Sequence, residues 1–321
     1  MIVPAPARTV SPSPANRPER PREPASVRFD FEAIGTHWQI ETPHPLGAAA
    51  TRAVLSRIEA FDAAYSRFRT DSLVGALAER PGTVAFPPDA ARLFELYDRL
   101  FTATGGAVDP LVGRDLELLG YDRAYSLRPA ASVVAPGPAP DARPRPAWNT
   151  AVRREGSVVT TEAPLVIDVG AAGKGYLVDL VAEVLLENGE REFVVDASGD
   201  LVHRSLDGTP VRIGLEHPLD PSKAIGVATL ADASLCASAS NRRAWGDGVH
   251  HIVDGRTGSP AREVIATWVV AASTAVADGL ATALFFTGAH ELAKTFHFSY
   301  VRLYADGRAE RSRDFPGELF A

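Results

Sequence analysis

A few short stretches carry residues that could do chemistry. In Asp168-Val-Gly-Ala-Ala-Gly-Lys174-Gly-Tyr-Leu-Val-Asp179, a carboxylate and an ammonium flank a turn of small residues. Such a turn lets a ligand approach the backbone closely. If a helix follows it, unpaired N–H groups and the positive end of a dipole suit a phosphate or diphosphate. The same small residues would equally serve plain packing between elements. Further on, Asp278 and Thr282 are four apart in an otherwise apolar run, Ser273–Thr287, so a helix would set them one turn apart on one face. A buried carboxylate there needs a partner. Either a backbone N–H or an arginine satisfies it, or Asp278, Thr282, carbonyls and phosphate oxygens together hold a hard cation such as Mg²⁺. His250 and His251 precede Asp254. Either histidine could be structural; an imidazole could also serve as general base or phosphate contact, and His251 is the favoured one.

The elements that must position these groups follow from periodicity. Leu165, Val166 and Ile167 read as a buried strand entering the turn, and Tyr176–Glu187 has apolar residues at helical spacing. Val27–Thr42 alternates around Gly35, as in a hairpin or a bulged strand. Pro45–Phe68 and Pro88–Thr104 read as amphipathic helices, the second ended by Gly105-Gly106. Between them, Asp71 or Ser72 is placed to cap the following segment. Asp109 precedes Pro110 and so takes extended geometry. Trp148–Val152 with Ser157–Thr161, Glu192–Val195, Val211–Glu216, Ala224–Leu230 and Ala266–Ala272 read as strands. Asp196–Asp200 forms a second turn of small residues and carboxylates. Residues 1–26, rich in Pro, Ser and Arg, are expected to be disordered. The Pro/Ala-rich 128–146 stretch reads as a loop insertion, leaving 27–321 as one domain.

Composition narrows the function classes. The net charge of −7 and pI near 5.7 argue against a nucleic-acid or anionic-membrane binder. No run approaches the roughly 18 apolar residues of a membrane span. The first residues lack the apolar core of a signal peptide, so the expected location is the cytoplasm. A single cysteine, Cys236, leaves no intrachain disulfide and no thiolate zinc site. Lysine occurs only at 174, 223 and 294, which makes one inside the small-residue turn more notable.

Taken in order, the Asp168–Asp179 block, Ser198-Gly-Asp200, His251-Ile-Val-Asp254 with Thr257-Gly258, and Ala277-Asp278-Gly-Leu-Ala-Thr282 resemble the ApbE family of FAD:protein FMN transferases. Gly35-Thr36, Ser66-Arg-Phe-Arg-Thr-Asp-Ser72 and Gly106-Ala-Val-Asp109 are similar to its earlier blocks, so the resemblance runs from about Val27 to Gly288. It implies an α+β fold, a single split catalytic domain of T-fold-like architecture. It also implies FAD as substrate in a cleft, Mg²⁺ at the diphosphate, and an acceptor protein with a Thr or Ser flavinylation site. Carried over by position, Ala171 (by its carbonyl), Asp278 and Thr282 would be metal ligands. Ile34, Phe68, Ala107, Val108, Asp109, Asp168, Lys174 and His251 would bind FAD, and His251 and Asp278 would act in catalysis. The implied reaction is transfer of FMN to the hydroxyl with release of AMP. Two alternatives remain beside it: a FAD pyrophosphatase giving FMN and AMP, and a non-catalytic flavin-binding protein. Ile34 stands where the family commonly has methionine, Ser198 where it has glycine, and Phe68 where the aromatic often carries a hydroxyl. Each is a mild change in shape or the loss of one hydrogen bond, typically about 1 kcal/mol.

Overall fold

The computed structural model describes residues 26–130, 145–246 and 248–320. The expected disorder of 1–26 therefore falls almost wholly outside the described residues, as does most of the expected 128–146 insertion; its ends, Arg128–Ala130 and Arg145–Pro146, have no regular secondary structure.

An eight-stranded antiparallel sheet is the framework. Its spatial order is Val27–Ala33, Thr36–Thr42, Phe193–Asp196, Asp200–Arg204, Ser234–Ala239, Val264–Ala271, Ser299–Tyr304 and Ala309–Arg311. The first two strands form the expected hairpin. Ala33 pairs with Thr36 across a two-residue turn in which Ile34 and Gly35 both have positive φ, 47° and 73°. That is the twist a tight hairpin requires. Glycine adopts it freely, whereas a β-branched residue there is an outlier costing about 1–2 kcal/mol.

Strand alternation explains why the central strands read as continuous apolar runs. In Val264–Ala271, the side chains of Ala266, Trp268 and Val270 pack with Leu201, Leu235, Val301 and Leu303, beneath a three-stranded sheet of Val211–His217, Asp220–Leu230 and Gly317–Leu319. Val269 and Ala271 face the other way, into the helices Ala48–Tyr65, Ala90–Thr104, Gly173–Glu187 and Thr274–Ala283. Both faces of the sheet's central strands are thus covered, so they lack the polar-out alternation that the exposed edge strand Val27–Ala33 keeps. Cys236 lies in the helix-side layer, fully buried, its thiol donating to the Thr274 carbonyl at 3.4 Å. This is an α+β architecture, as expected.

Two expected strands are not strands. Leu165–Ile167 is extended but belongs to no sheet; Leu165 N–H donates to the Leu77 carbonyl and Asp168 N–H to the Pro110 carbonyl. The β-branched run marked burial correctly, but the amides of Leu165 and Asp168 are satisfied by carbonyls of two short helical segments, Leu73–Glu79 and Pro110–Val112, instead of a ladder. Trp148–Ala151 is a helical turn, and the strand begins only at Val152. The helix after the small-residue turn starts at Gly173, three residues before the apolar periodicity does. Ser72 proves to be the cap: its side chain accepts from Gly75 N–H at the head of the short helix Leu73–Glu79. No helix among the described residues is long and apolar enough to cross a membrane.

Candidate active site

Two helices create the site by pressing on one another. Asp179, two turns into the 173–187 helix, accepts from the Thr274 and Ala275 amides at 2.9 and 3.0 Å and from Ser273 Oγ at 2.8 Å. A carboxylate at a helix N-terminus satisfies orphan N–H groups and meets the dipole favourably. This bond also fixes the register between the two helices. One turn on, Asp278 Oδ2 accepts from Gly175 N–H at 2.8 Å. Only glycine permits that approach, because a Cβ at 175 would lie 2.4 Å from the Thr274 carbonyl oxygen. A further turn along, Thr282 Oγ1 lies 3.4 Å from the Ala171 carbonyl oxygen. The three oxygen donors expected to share a cation, from positions 171, 278 and 282, are thereby brought to the wall of one cleft.

Of the two readings of the turn, an anion cradle or plain packing, most of its amides follow the second. Gly170 N–H donates to Asp168 Oδ1, Ala172 N–H to Tyr97 Oη, Gly173 N–H to the Val169 carbonyl, and Gly175 N–H to Asp278. Amides committed inside the protein are not available to a phosphate. What the turn presents is the Ala171 carbonyl with Lys174 beside it.

Lys174 bridges to the second small-residue turn. Its Nζ donates to the Ala197 carbonyl at 2.6 Å and lies 2.9 Å from Asp200 Oδ2. That contact is an ion pair without hydrogen-bond alignment, so Oδ2 of the almost fully buried Asp200 has no hydrogen-bond partner among the described residues. Ser198 and Gly199, with φ of 54° and 100°, turn the chain sharply enough to place Asp200 there. Burial opposes the Lys174 ammonium, yet the Asp200 and Asp278 carboxylates outweigh it and raise its pKa. Burial first, and then Asp200, push the Asp278 carboxyl well above the usual carboxylate range, with Lys174 opposing. A buried carboxyl that resists ionisation is the counterpart of a site needing a cation.

Every residue that the family resemblance assigned to FAD, metal or catalysis lines one cleft of about 1270 Å³, and His250 does not. That volume exceeds the roughly 300–1,000 Å³ typical of small-ligand pockets and suits a dinucleotide. Among them, Asp109 proves to have a structural role. Its Oδ1 accepts from Leu111 N–H at 2.7 Å and its Oδ2 from Trp148 N–H at 3.1 Å. His251 and His250 separate cleanly. His250 is buried between the Ala261 carbonyl and the Ile252 amide, with both ring nitrogens engaged. His251 places Nδ1 3.3 Å from the Arg243 carbonyl. A carbonyl only accepts, so the proton sits on Nδ1, and Nε2 keeps its lone pair with no partner among the described residues. Burial, then the nearby Arg243, pull its pKa down to about 4, so it is neutral and proton-accepting at pH 7.

Tyr121, Tyr125 and Arg243 line the cleft without having been anticipated from the sequence, and Arg67 was anticipated only as one member of the polar Ser66–Ser72 segment. Arg67 Nε donates to Asp168 Oδ2 at 2.5 Å, and its guanidinium lies 4.2 Å from the Phe68 ring centre and 4.9 Å from that of Tyr121. Tyr121 is held by Arg243, which donates to its hydroxyl at 2.9 Å. The one local signal was an arginine abutting Phe68 within a polar interhelical segment. Among the described residues, no group of three or more His, Cys, Asp or Glu side chains is placed to hold a metal. The candidate cation set instead rests on one carboxylate, one hydroxyl and one carbonyl.

Comparison with known proteins gives the fold and the family. The chain is 27% identical over 290 residues to a protein of Klebsiella pneumoniae named FAD:protein FMN transferase, covering 85% of this chain and 82% of that one. It is 29% identical over 260 residues to a protein of the same name from Treponema pallidum, covering 75% and 72%. Its fold matches the flavin transferase ApbE of Vibrio cholerae with a TM-score of 0.74 at 24% identity, over 91% of this chain and 98% of that one. The ApbE protein of Thermotoga maritima matches with a TM-score of 0.78 at 24% identity, over 92% and 100%. The family model for ApbE matches residues 34–301, most of the chain and every candidate site residue: the chain belongs to the ApbE family.

Proposed function

We propose that this protein is an enzyme that transfers FMN from FAD to a Thr or Ser hydroxyl of an acceptor protein, releasing AMP. The observation that carries it is the convergence of Asp278, Thr282 and the Ala171 carbonyl beside Lys174 in a dinucleotide-sized cleft, in a chain whose relatives are named for this transfer. Ala171, Asp278 and Thr282 fit Mg²⁺. They are all oxygen donors, Asp278 is a buried acid whose charge calls for a cation, and the Gly175 approach fixes the carboxylate in place. Mg²⁺ bound there supplies charge neutralisation at the diphosphate.

The chain's own groups do the remaining work. Lys174 uses its remaining N–H capacity on a diphosphate oxygen while Asp200 and Ala197 hold its stem in place. The cleft wall from Ile34 to Asp109 orients the two ring systems. His251 Nε2 takes the proton as the acceptor oxygen attacks the FMN-side phosphorus. The phosphoanhydride bond breaks and its electrons leave on AMP. Asp278 in its ionised form is the catalytic carboxylate.

The test is incubation with FAD, Mg²⁺ and candidate acceptor proteins, read by in-gel flavin fluorescence and AMP quantification. A fluorescent acceptor with stoichiometric AMP supports transfer. FMN and AMP without labelled acceptor would replace it with hydrolysis, and bound FAD with no products would sink both.

A further inference from the structure

Arg67 is nearly fully buried, and its Nη1 and Nη2 have no hydrogen-bond partner among the described residues. A guanidinium offers five N–H bonds in one plane, and here only Nε is used, on Asp168. Leaving the charged fork unmatched in a low-dielectric wall is costly, and native proteins rarely tolerate it without a reason. The cost is incurred in the lining of the cleft, beside Asp168, whose two oxygens each accept one bond and keep a second lone pair.

Phe68 and Tyr121 flank the fork, and Tyr121 is fixed through Arg243. Tyr125 is different. Its ring stacks on Phe68, centroids 4.9 Å apart and planes within 11°. Yet it is 52% exposed, has a left-handed φ of 50°, and makes no side-chain hydrogen bond among the described residues. A non-glycine residue in that backbone region stores about 1–3 kcal/mol. Of the two tyrosines that pack on Phe68, it is the one without a hydrogen-bond tether among the described residues.

We propose that the Arg67–Asp168 pair is the residue pair that selects the heterocycle of the bound dinucleotide, and that Tyr125 is its displaceable cover. The inference rests on the FAD-binding reading above. Arg67 Nη groups donate to in-plane ring acceptors while Asp168 accepts from an adjacent N–H, so the pair reads an edge on which acceptor and donor stand side by side. Adenine presents such an edge at its amino group and neighbouring ring nitrogen. Isoalloxazine presents one at its carbonyls and intervening N–H. The ring then stacks in the place Tyr125 vacates.

The experiment measures equilibrium binding of FAD, ADP and FMN, without acceptor and with EDTA, to the wild-type protein and to Arg67→Met, with thermal unfolding in parallel. Loss of charged hydrogen bonds is expected to raise the FAD Kd about tenfold to a hundredfold. One half-ligand, ADP or FMN, should weaken by the same factor while the other keeps its wild-type Kd, which tells adenine from isoalloxazine. Unchanged Kd values for all three ligands, or equal weakening of both halves, would overturn the selection role. If Arg67→Met does not fold, Arg67→Lys carries the test: it keeps the cation but has no planar fork, and the same one-sided loss is expected. Tyr125→Ala should speed FAD association with no loss of affinity; a weaker Kd would show that Tyr125 clamps the ring and would overturn the cover. Wild-type protein that binds none of the ligands brings down the transferase reading and this inference together. Wild type that binds FAD but never releases AMP removes only the former.

Discussion

Gly175→Ala tests whether the site depends on the contact between two helices. A Cβ at 175 would lie 2.4 Å from the Thr274 carbonyl oxygen and 2.6 Å from Asp278 Cβ, where ordinary contact begins at 3.4 Å. The 274–283 helix, or the turn ahead of it, must therefore retreat by about 1 Å, and the Gly175 N–H bond to Asp278 lengthens with it. Overpacking against backbone costs up to about 3 kcal/mol, and the helical preference of alanine over glycine returns about 1 kcal/mol. The net loss of about 2 kcal/mol corresponds to a fall in Tm of about 4–8 °C. Function should suffer more than stability, because a displacement of about 1 Å from productive geometry costs up to about a hundredfold in rate. Differential scanning fluorimetry and Mg²⁺-dependent FAD turnover, measured on the same preparation, check both numbers. A variant with unchanged Tm and full Mg²⁺-dependent activity would show that the 175–278 approach does not set the site.

Asp278→Asn keeps an oxygen for the Gly175 amide and replaces a buried carboxyl whose ionisation burial and Asp200 both oppose, so Tm without Mg²⁺ should hold or rise while transfer falls about a hundredfold or more; a large drop in Tm would contradict this. Lys174→Met leaves Asp200 buried and unpaired, and chemical denaturation should register a loss of about 3–5 kcal/mol. Adding Asp200→Asn should restore most of that stability without restoring activity, and a double variant no more stable than the single one would refute the pairing. His251 is depressed to about 4, so its neutral, proton-accepting form persists on acidification until that pH and is lost below it. Single-turnover transfer at saturating Mg²⁺ should then show no inflection near 6.5; an inflection there that vanishes in His251→Asn would disprove the assignment. Asp109→Ala frees the amides of Leu111 and Trp148, and a cost of about 1–3 kcal/mol with weaker FAD binding is expected in unfolding and titration experiments.

Much of the site was legible from local spacing. Asp278 and Thr282 share a helix face because the repeat of 3.6 residues puts every fourth residue on one side, and that remains true whatever the helix packs against. Gly35 marked a hairpin or a bulged strand for the same kind of reason, since glycine tolerates the positive φ such a turn demands, and the pairing of Ala33 with Thr36 decided for the hairpin. The ordered blocks from Gly35 to Thr282 pointed to the family that the wider comparison then established. Strand identity at Leu165–Ile167 was not legible. A β-branched run reports burial, but whether its amides pair with a neighbouring strand or with the carbonyls of Leu77 and Pro110 depends on what the fold brings alongside.

Asp168, Lys174 and Asp278 were visible as chemically able groups; their partners were not. Arg67 reaches Asp168 across 101 positions, Asp179 caps a helix that begins 95 positions later, and Gly175 meets Asp278 across 103. No periodicity links such positions, because their proximity is produced by the packing of two helices on a sheet. The small-residue turn shows the division plainly. Its composition determined that backbone and ligand could come close. The tertiary structure decided that most of its amides would be committed within the protein and that the Ala171 carbonyl would face Thr282. Local sequence sets which conformations a segment tolerates, whereas the hydrogen-bond partners of a buried group are set by what the rest of the chain packs against it.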